Sequence, residues 1–322
     1  MDDLVTHHLL FITEVMTPLE LDEHSGAALR GNLFESVWRR FCTNKASPSC
    51  AECSLHTVCP VSTLVAPLRE ENGRGRDIPR PYIILPPLGG ARCFAPGEPL
   101  TFGLTLFGSI IHLLPYIMLS LQTLESVGLG RRVQTQNGKR GQFTVKQVET
   151  YNPLNGKREV IYRSGKPIVG ASTISVTVAD VQAKAAALAK EKITLEFLTP
   201  TRIKDQEHPI RRIEFRPIFH RLLERLTALR VEYGNGQEQS YEERKHFVDL
   251  AQRIHCIDDA MHWEEVSSYS RRIKELSSIS GFVGHATFAG DLSPFLEFLV
   301  WGELTHVGKN CVKGNGWYRI AT

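Results

Sequence analysis

Hydrophobic and polar positions along this chain change period several times, and those changes outline its elements. Residues 7–20 read as a first strand ending at Thr17-Pro18. From Ala27 to Phe41 the period becomes helical, with Leu29, Leu33, Phe34, Val37, Trp38 and Phe41 on one face and Arg30, Arg39 and Arg40 on the polar side. Ser25 stands at the N-cap position of that helix. Residues 69–87 are rich in Gly, Pro and charge and predict loop, with a short strand at 82–85. Residues 99–124 carry no formal charge, but their first half alternates and their second half contains His112, Pro115, Tyr116 and Gln122. That pattern predicts a buried strand followed by a buried helix, not a membrane span. Asn137-Gly138 then signals a hairpin ahead of the strand of Phe143, Val145 and Val148. After Asn155-Gly156 a short strand runs through Val160 and Tyr162, and an alanine-rich helix, 178–190, connects two halves.

The second half repeats the plan. A strand at 193–198 leads through Thr199-Pro200-Thr201-Arg202 to a helix with Pro217 in its first turn and a stripe of Phe219, Leu222, Leu223, Leu226 and Leu229. A helix is expected at 241–255, and residues 266–278, carrying Arg271 and Arg272, lead to the next strand. An alternating strand with Phe282, Val283, Ala286 and Phe288 and a short helix at 293–301 complete the half. Each half thus reads as strand, helix, strands, helix, strand. The expected class is α+β, two tandem ferredoxin-like (RRM-like) domains over residues 1–190 and 191–322, with a cysteine-rich insertion in the first.

Charge narrows the function only through its distribution. With 38 basic against 35 acidic residues the net charge is +3, so nucleic-acid affinity must come from clusters. Two exist. Between Gly128 and Lys146 lie Arg131, Arg132, Lys139, Arg140 and Lys146 without an acid, and after Leu304 lie Lys309, Lys313 and Arg319 without one. The loop from Gly308 to Gly316, with Gly314 between, has two readings: a tight turn, or a cradle whose bare backbone N–H groups and lysines face phosphates. The N-terminal apolar run is short and follows two acids, which argues against a signal peptide and for a cytoplasmic chain without a membrane role.

Four of seven cysteines, Cys42, Cys50, Cys53 and Cys59, fall in eighteen residues. In a reducing compartment such a quartet with one C-x-x-C pair suggests a structural zinc site or an iron–sulfur cluster, with unligated thiols as the alternative and His56 as a substitute ligand. A metal- or redox-responsive RNA-binding protein regulated by this cluster is a further reading.

The helix entry HSGAALRGNLFESVW, the turn GLGRR with GKRGQFTVKQV, the strand EFLTPTRI, the helix FRPIFHRLLERLTAL and the terminal GFVGHATFAG with HVGKNCVKGNGWYRI occur in an order that resembles the CRISPR repeat-processing endoribonucleases of the RAMP superfamily, the Cas-six proteins. The cysteine insertion is similar to one in a subset of them. The resemblance implies binding of precursor CRISPR RNA and one cut per repeat to release guide RNAs, by metal-independent attack of a ribose 2′-OH that leaves a 2′,3′-cyclic phosphate. It implies His24 as the catalytic histidine, with His306 and His285 as further candidates because they border the terminal loop. RNA contacts are expected from Arg30, Arg131, Arg132, Lys139, Arg140, Arg202, Gly308, Lys309, Lys313, Gly314 and Gly316. No catalytic cofactor is implied, and other CRISPR effector-complex subunits are expected as partners. The rival function is a non-catalytic RAMP subunit that holds guide RNA. Arg221 and Arg225 fit either an RNA-facing helix or a solvent face paired with Glu224 and Glu214.

Overall fold

The computed structural model describes residues 3–67, 78–166, 170–205, 208–210, 212–234, 236, 238–270 and 275–321. Most of the charged loop before Tyr82, and Arg271 and Arg272, lie outside the described residues. The chain forms two compact units, one built from Val5–Val176 and the other mainly from Thr177–Val231 and the residues after 235.

In the first unit the strands are β1 (Thr6–Val15), β2 (Tyr82–Leu85), β3 (Pro99–Phe107), β4 (Phe143–Tyr151) and β5 (Arg158–Arg163), all antiparallel in the order β2-β3-β1-β4-β5. The helices that connect these strands in the ferredoxin-like plan include α1 (Gly26–Phe41) after β1 and α2 (Leu121–Val127) before β4. With β1 hydrogen-bonded between the third and fourth strands, this is the ferredoxin-like plan plus one edge strand. Residues 7–20 are not one strand, because Pro18 interrupts the ladder and Leu19–Leu21 pairs separately with Arg92–Phe94. Phe143, Val145 and Val148 all reach the core although Val145 and Val148 are three apart. A register shift beside Lys146 lets them share a face. Ser25 precedes α1 as expected, yet its backbone is already helical and its side chain makes no capping bond.

The uncharged stretch folds as the sequence suggests: β3, then two helical pieces bent by 59° with Ser120 between them. Ile110, Leu113, Ile117, Leu121 and Leu124 on these pieces are buried. Among the described residues no single helix is long and apolar enough to cross a membrane.

The second unit opens with α3 (Val178–Ala186), followed by β6 (Lys192–Thr201), α4 (Phe215–Tyr233), α5 (Tyr241–Ala251), β7 (His255–Glu264), β8 (Gly281–Ala289), α6 (Leu296–Thr305) and β9 (Tyr318–Ala321). Its antiparallel sheet runs β7-β8-β6-β9, the same order again. Because α3 packs on α6, the division falls near Thr177 and not after residue 190. The stripe on α4 is buried as predicted, and Phe219 meets Phe295 at 4.7 Å and Phe298 at 5.4 Å between ring centroids. Residues 266–278, which the periodicity leaves without an element type, include a hairpin pairing Ser267–Ser270 with Glu275–Ser278. Serine competes for backbone hydrogen bonds and weakens a helix, so ladder pairing prevails. Strand β7 escaped the periodicity because it is an edge whose residues, Ile257 included, are mostly exposed on both faces.

In the centre of the first sheet His8 is enclosed, with Thr6 Oγ1 and Thr105 Oγ1 each 2.9 Å from one ring nitrogen. Burial, and secondarily His7, push its pKa down to about 3, so the native imidazole is neutral. An unfolded histidine titrates near its ordinary value of about 6.5, so the native state forgoes a proton between these values. Stability from neutral His8 is complete above the unfolded pKa and is lost as pH falls toward the folded one. His7 is lowered in the same direction by desolvation. Urea unfolding across pH should therefore show His8→Gln losing less stability than the parent chain on acidification, whereas parallel curves would contradict the assignment.

Candidate nucleic-acid interface

The basic glycine turn of the first unit is a hairpin, Leu129–Val133 against Lys139–Gly141. Asn137 and Gly138 at its tip have φ of 55° and 70°, the left-handed conformation that this dipeptide accepts at little cost. The hairpin lies against the strand Leu19–Leu21: a Cβ on Gly130 would stand 2.1 Å from the Glu20 carbonyl oxygen. Its root is tied from inside the unit, where buried Asn32 of α1 donates through Nδ2 to the Leu124 and Gly128 carbonyls at 3.2 and 2.7 Å. These bonds satisfy carbonyls at the C-terminal end of α2.

Charge on this hairpin is arranged against its own stability. Arg132 is directly opposite Arg140, and Lys139 is the next residue. Like charges facing across a strand pair are unfavourable, so the arrangement suits an anionic ligand better than an isolated fold. Arg131 pairs with Asp22, and Arg132 donates to Gly138 O at 3.0 Å. Asp22 is two residues before half-buried His24, so this ion pair joins the His24 turn to the cationic hairpin. A Glu23 carboxylate oxygen also lies within 4.8 Å of a His24 ring nitrogen. Arg30 behaves differently. Its guanidinium carbon is 5.7 Å from the Phe34 centroid and its cation acts on buried Tyr82, whose pKa burial raises and Arg30 lowers. Arg30 therefore supports the interior of the unit instead of presenting its charge outward.

The loop from Gly308 to Gly316 belongs to the second unit, and part of its backbone is engaged within that unit. Its N–H groups at Lys309, Lys313, Gly314 and Gly316 already donate to the carbonyls of Arg202, Asn310, Cys311 and Pro200. Gly316 is required by close packing, since a Cβ there would stand 1.9 Å from Val307 O. Thr199 Oγ1 donates to Gly314 O at 2.8 Å, and Asn315 Nδ2 to Pro200 O at 3.2 Å and Ile279 O at 3.0 Å. Those four amides are therefore not available to a phosphate in this conformation. Exposed Lys309 adjoins Arg202 through the Lys309 N to Arg202 O bond of 3.1 Å, bringing together two cations that are distant in sequence. Lys313 is half-buried on the short turn Cys311–Lys313.

Of the three candidate histidines, His306 is fully buried, with Nδ1 3.2 Å from Asn315 O and its ring parallel to Trp317 at 5.7 Å. This corrects its expected place beside phosphates: the ring fills the interior beneath the loop. His285 is exposed on β8, with Nε2 3.6 Å from Asp258 Oδ2 and Glu196 opposite it on β6. Arg221 pairs with Glu224 at 2.6 Å, and Arg225 donates to Thr305 O and His306 O at 2.9 and 3.1 Å, closing the end of α6. The helix arginines thus have structural partners. Cys42, Cys50, Cys53 and Cys59 are half-buried free thiols in the first unit. Sequence reasoning missed Asn32, Asp22 and Glu23. The available signal was Asn32 itself, a polar residue within the apolar face of α1.

The repeated sheet order defines an α+β protein built from two ferredoxin-like units. Residues 4–174 match the family of AF_1859 N-terminal domains, and residues 195–318 match the family of CRISPR-associated endoribonuclease Cas6. The chain belongs to the family of AF_1859 N-terminal domains, whose match spans more than half of it, and its second unit is similar to the Cas6 endoribonucleases. Thermus thermophilus Cas6 is 15% identical, with a TM-score of 0.52 and 100% of both chains covered. A Cas6 product complex matches at 15% identity and a TM-score of 0.56, covering 98% of this chain and 99% of that one. A partial Cas6-RT-Cas1–Cas2 complex gives 13% identity and 0.61, covering 99% of this chain and 46% of that one. These likenesses concern the fold. No curated protein matches the chain.

If the facing arginines are kept for an anion, Arg132→Glu will leave folding stability intact or raise it by about 0.2–1 kcal/mol, because it creates an opposite-charge pair with Arg140. The same change should weaken RNA binding and reduce its salt slope by about 1 or more. Chemical denaturation and filter binding across salt concentrations measure the two effects; unchanged binding would remove the hairpin from the interface.

Proposed function

We propose that this chain is a metal-independent endoribonuclease that cuts precursor CRISPR RNA within each repeat and releases guide RNAs. The observation that carries the reading is the His24 turn fastened to the cationic hairpin by the Asp22–Arg131 pair. An imidazole suits general acid–base proton transfer, and arginine and lysine side chains suit phosphate oxygens.

The reaction asks little else of the protein. The 2′-oxygen beside the scissile phosphate attacks phosphorus as its proton leaves, the bond to the 5′-oxygen breaks, and that oxygen is protonated. The products are a 2′,3′-cyclic phosphate and a 5′-hydroxyl. His24 serves one of the two proton transfers, with the Glu23 carboxylate orienting its ring. Arg132, Lys139 and Arg140 position the strand through its phosphates and stabilise charge on the crowded phosphorus. Arg202 and Lys309 give the second unit its own phosphate contact. Hairpin shape or base edges must supply repeat specificity, since phosphate contacts carry none.

With repeat RNA and excess chelator, the purified chain should give a product ending in a 2′,3′-cyclic phosphate. RNA that is bound but never cut would favour the guide-holding subunit instead. His24→Ala should slow single-turnover cleavage by about 100-fold or more while affinity stays near that of the parent chain. His306→Ala should mainly lower thermal stability, through loss of the Trp317 stack and the Asn315 bond. Parent-like cleavage by His24→Ala would show that another group transfers the proton.

A further inference from the structure

The insertion after α1 poses a stability problem independent of RNA cleavage. From Cys42 to Cys59 no residue is buried, and Leu55 and Val58 remain 42% and 77% exposed. The regular structure in this segment is one short turn, Cys50–Glu52. A segment with no apolar core cannot offset the entropy of its own ordering through burial, and small coreless modules generally rely on a disulfide or a metal. Disulfides are absent, since all seven cysteines are free thiols.

Four of those thiols mark the structural corners of the segment. Cys42 immediately follows α1, Cys50 and Cys53 flank the short turn with Cys53 N donating to Cys50 O at 3.4 Å, and Cys59 immediately precedes the helix Pro60–Val65. All four are half-buried, and the helix that Cys42 follows packs against the helix that Cys59 precedes, which brings the two ends of the segment together. Two neighbouring groups suit thiolates. Asn44 Nδ2 is 3.5 Å from Cys53 Sγ, and the Arg80 cation acts on Cys50. His56 turns Nδ1 toward Cys53 O at 3.2 Å, a backbone contact within the same turn.

We propose that Cys42, Cys50, Cys53 and Cys59 form a four-thiolate centre for a thiophilic metal, which fastens the insertion to the C-terminal end of α1. Zinc and an iron–sulfur cluster share this ligand chemistry. No three of the four sulfurs lie within 4.8 Å of one another among the described residues, so a single zinc ion would draw them inward, whereas a cluster would occupy a wider spacing. The centre is structural. His24 is at the other end of α1, and that helix of 16 residues is about 24 Å long at 1.5 Å per residue.

The full chain, purified under anaerobic reducing conditions, should contain either about one zinc per chain without colour, or iron and acid-labile sulfide with broad visible absorption. Cys50→Ser with Cys53→Ser should abolish the metal, whereas Cys93→Ser should retain it. In the metal-loaded parent, four of the seven thiols should resist a thiol reagent until a chelator is added. Should the double variant be insoluble, titration of the chelator-stripped parent with Co²⁺ remains decisive, because tetrahedral thiolate ligation gives intense charge-transfer and d–d bands. A soluble parent that is isolated without metal, binds no Co²⁺ and cannot be reconstituted with iron and sulfide would overturn the proposal, as would full metal content in the double serine variant.

Discussion

Hydrogen bonding of the first strand of each unit along both edges is the constraint on which the remaining architecture depends. Strand β1 is held between β3 and β4, and β6 between β8 and β9. A strand paired on both sides can have its register altered only by disturbing two ladders, and a slip of one residue would move its apolar side chains to the wrong face. Both connecting helices of a unit must then cross over the sheet to bury their stripes. This is why the aromatic stripe of α4 reaches Phe288 on β8, and why α1 can carry Asn32 to the carbonyls at the end of α2.

That last contact links packing to chemistry. Asn32 holds the root of the hairpin, Gly130 permits its approach to Glu20, and the exposed strands retain Arg132 and Arg140 in opposition. A pair of facing cations contributes nothing favourable to the isolated chain. The terminal loop follows another logic. The Lys309 and Gly316 amides are used in joining the loop to the C-terminal end of the unit's central strand, at Arg202 and Pro200.

Much of the fold was legible in the sequence because apolar periodicity reports burial on one face. The stripes of α1 and α4 and the alternation of β3 and β8 all emerged that way. Strand β7 and the hairpin around Ser267–Ser270 did not, since an exposed edge and a serine-rich ribbon have little burial to report. The site was only partly legible. Basic residues between Arg131 and Arg140 could be seen as a cluster, but their cross-strand opposition and the Asp22 tether could not.

The sequence by itself determined the periodicities, the glycine positions, the basic clusters and the cysteine quartet, because these are local properties of the chain. Tertiary structure decided which of them face solvent and which are already engaged. It placed His306 inside, set Arg30 to act on Tyr82, engaged the Lys309, Lys313, Gly314 and Gly316 amides of the terminal loop and paired Asp22 with Arg131 of the basic hairpin. Those outcomes depend on partners that can be a hundred residues away. A residue type supplies a chemical capacity, while burial and hydrogen-bond partners decide whether it remains available for a ligand.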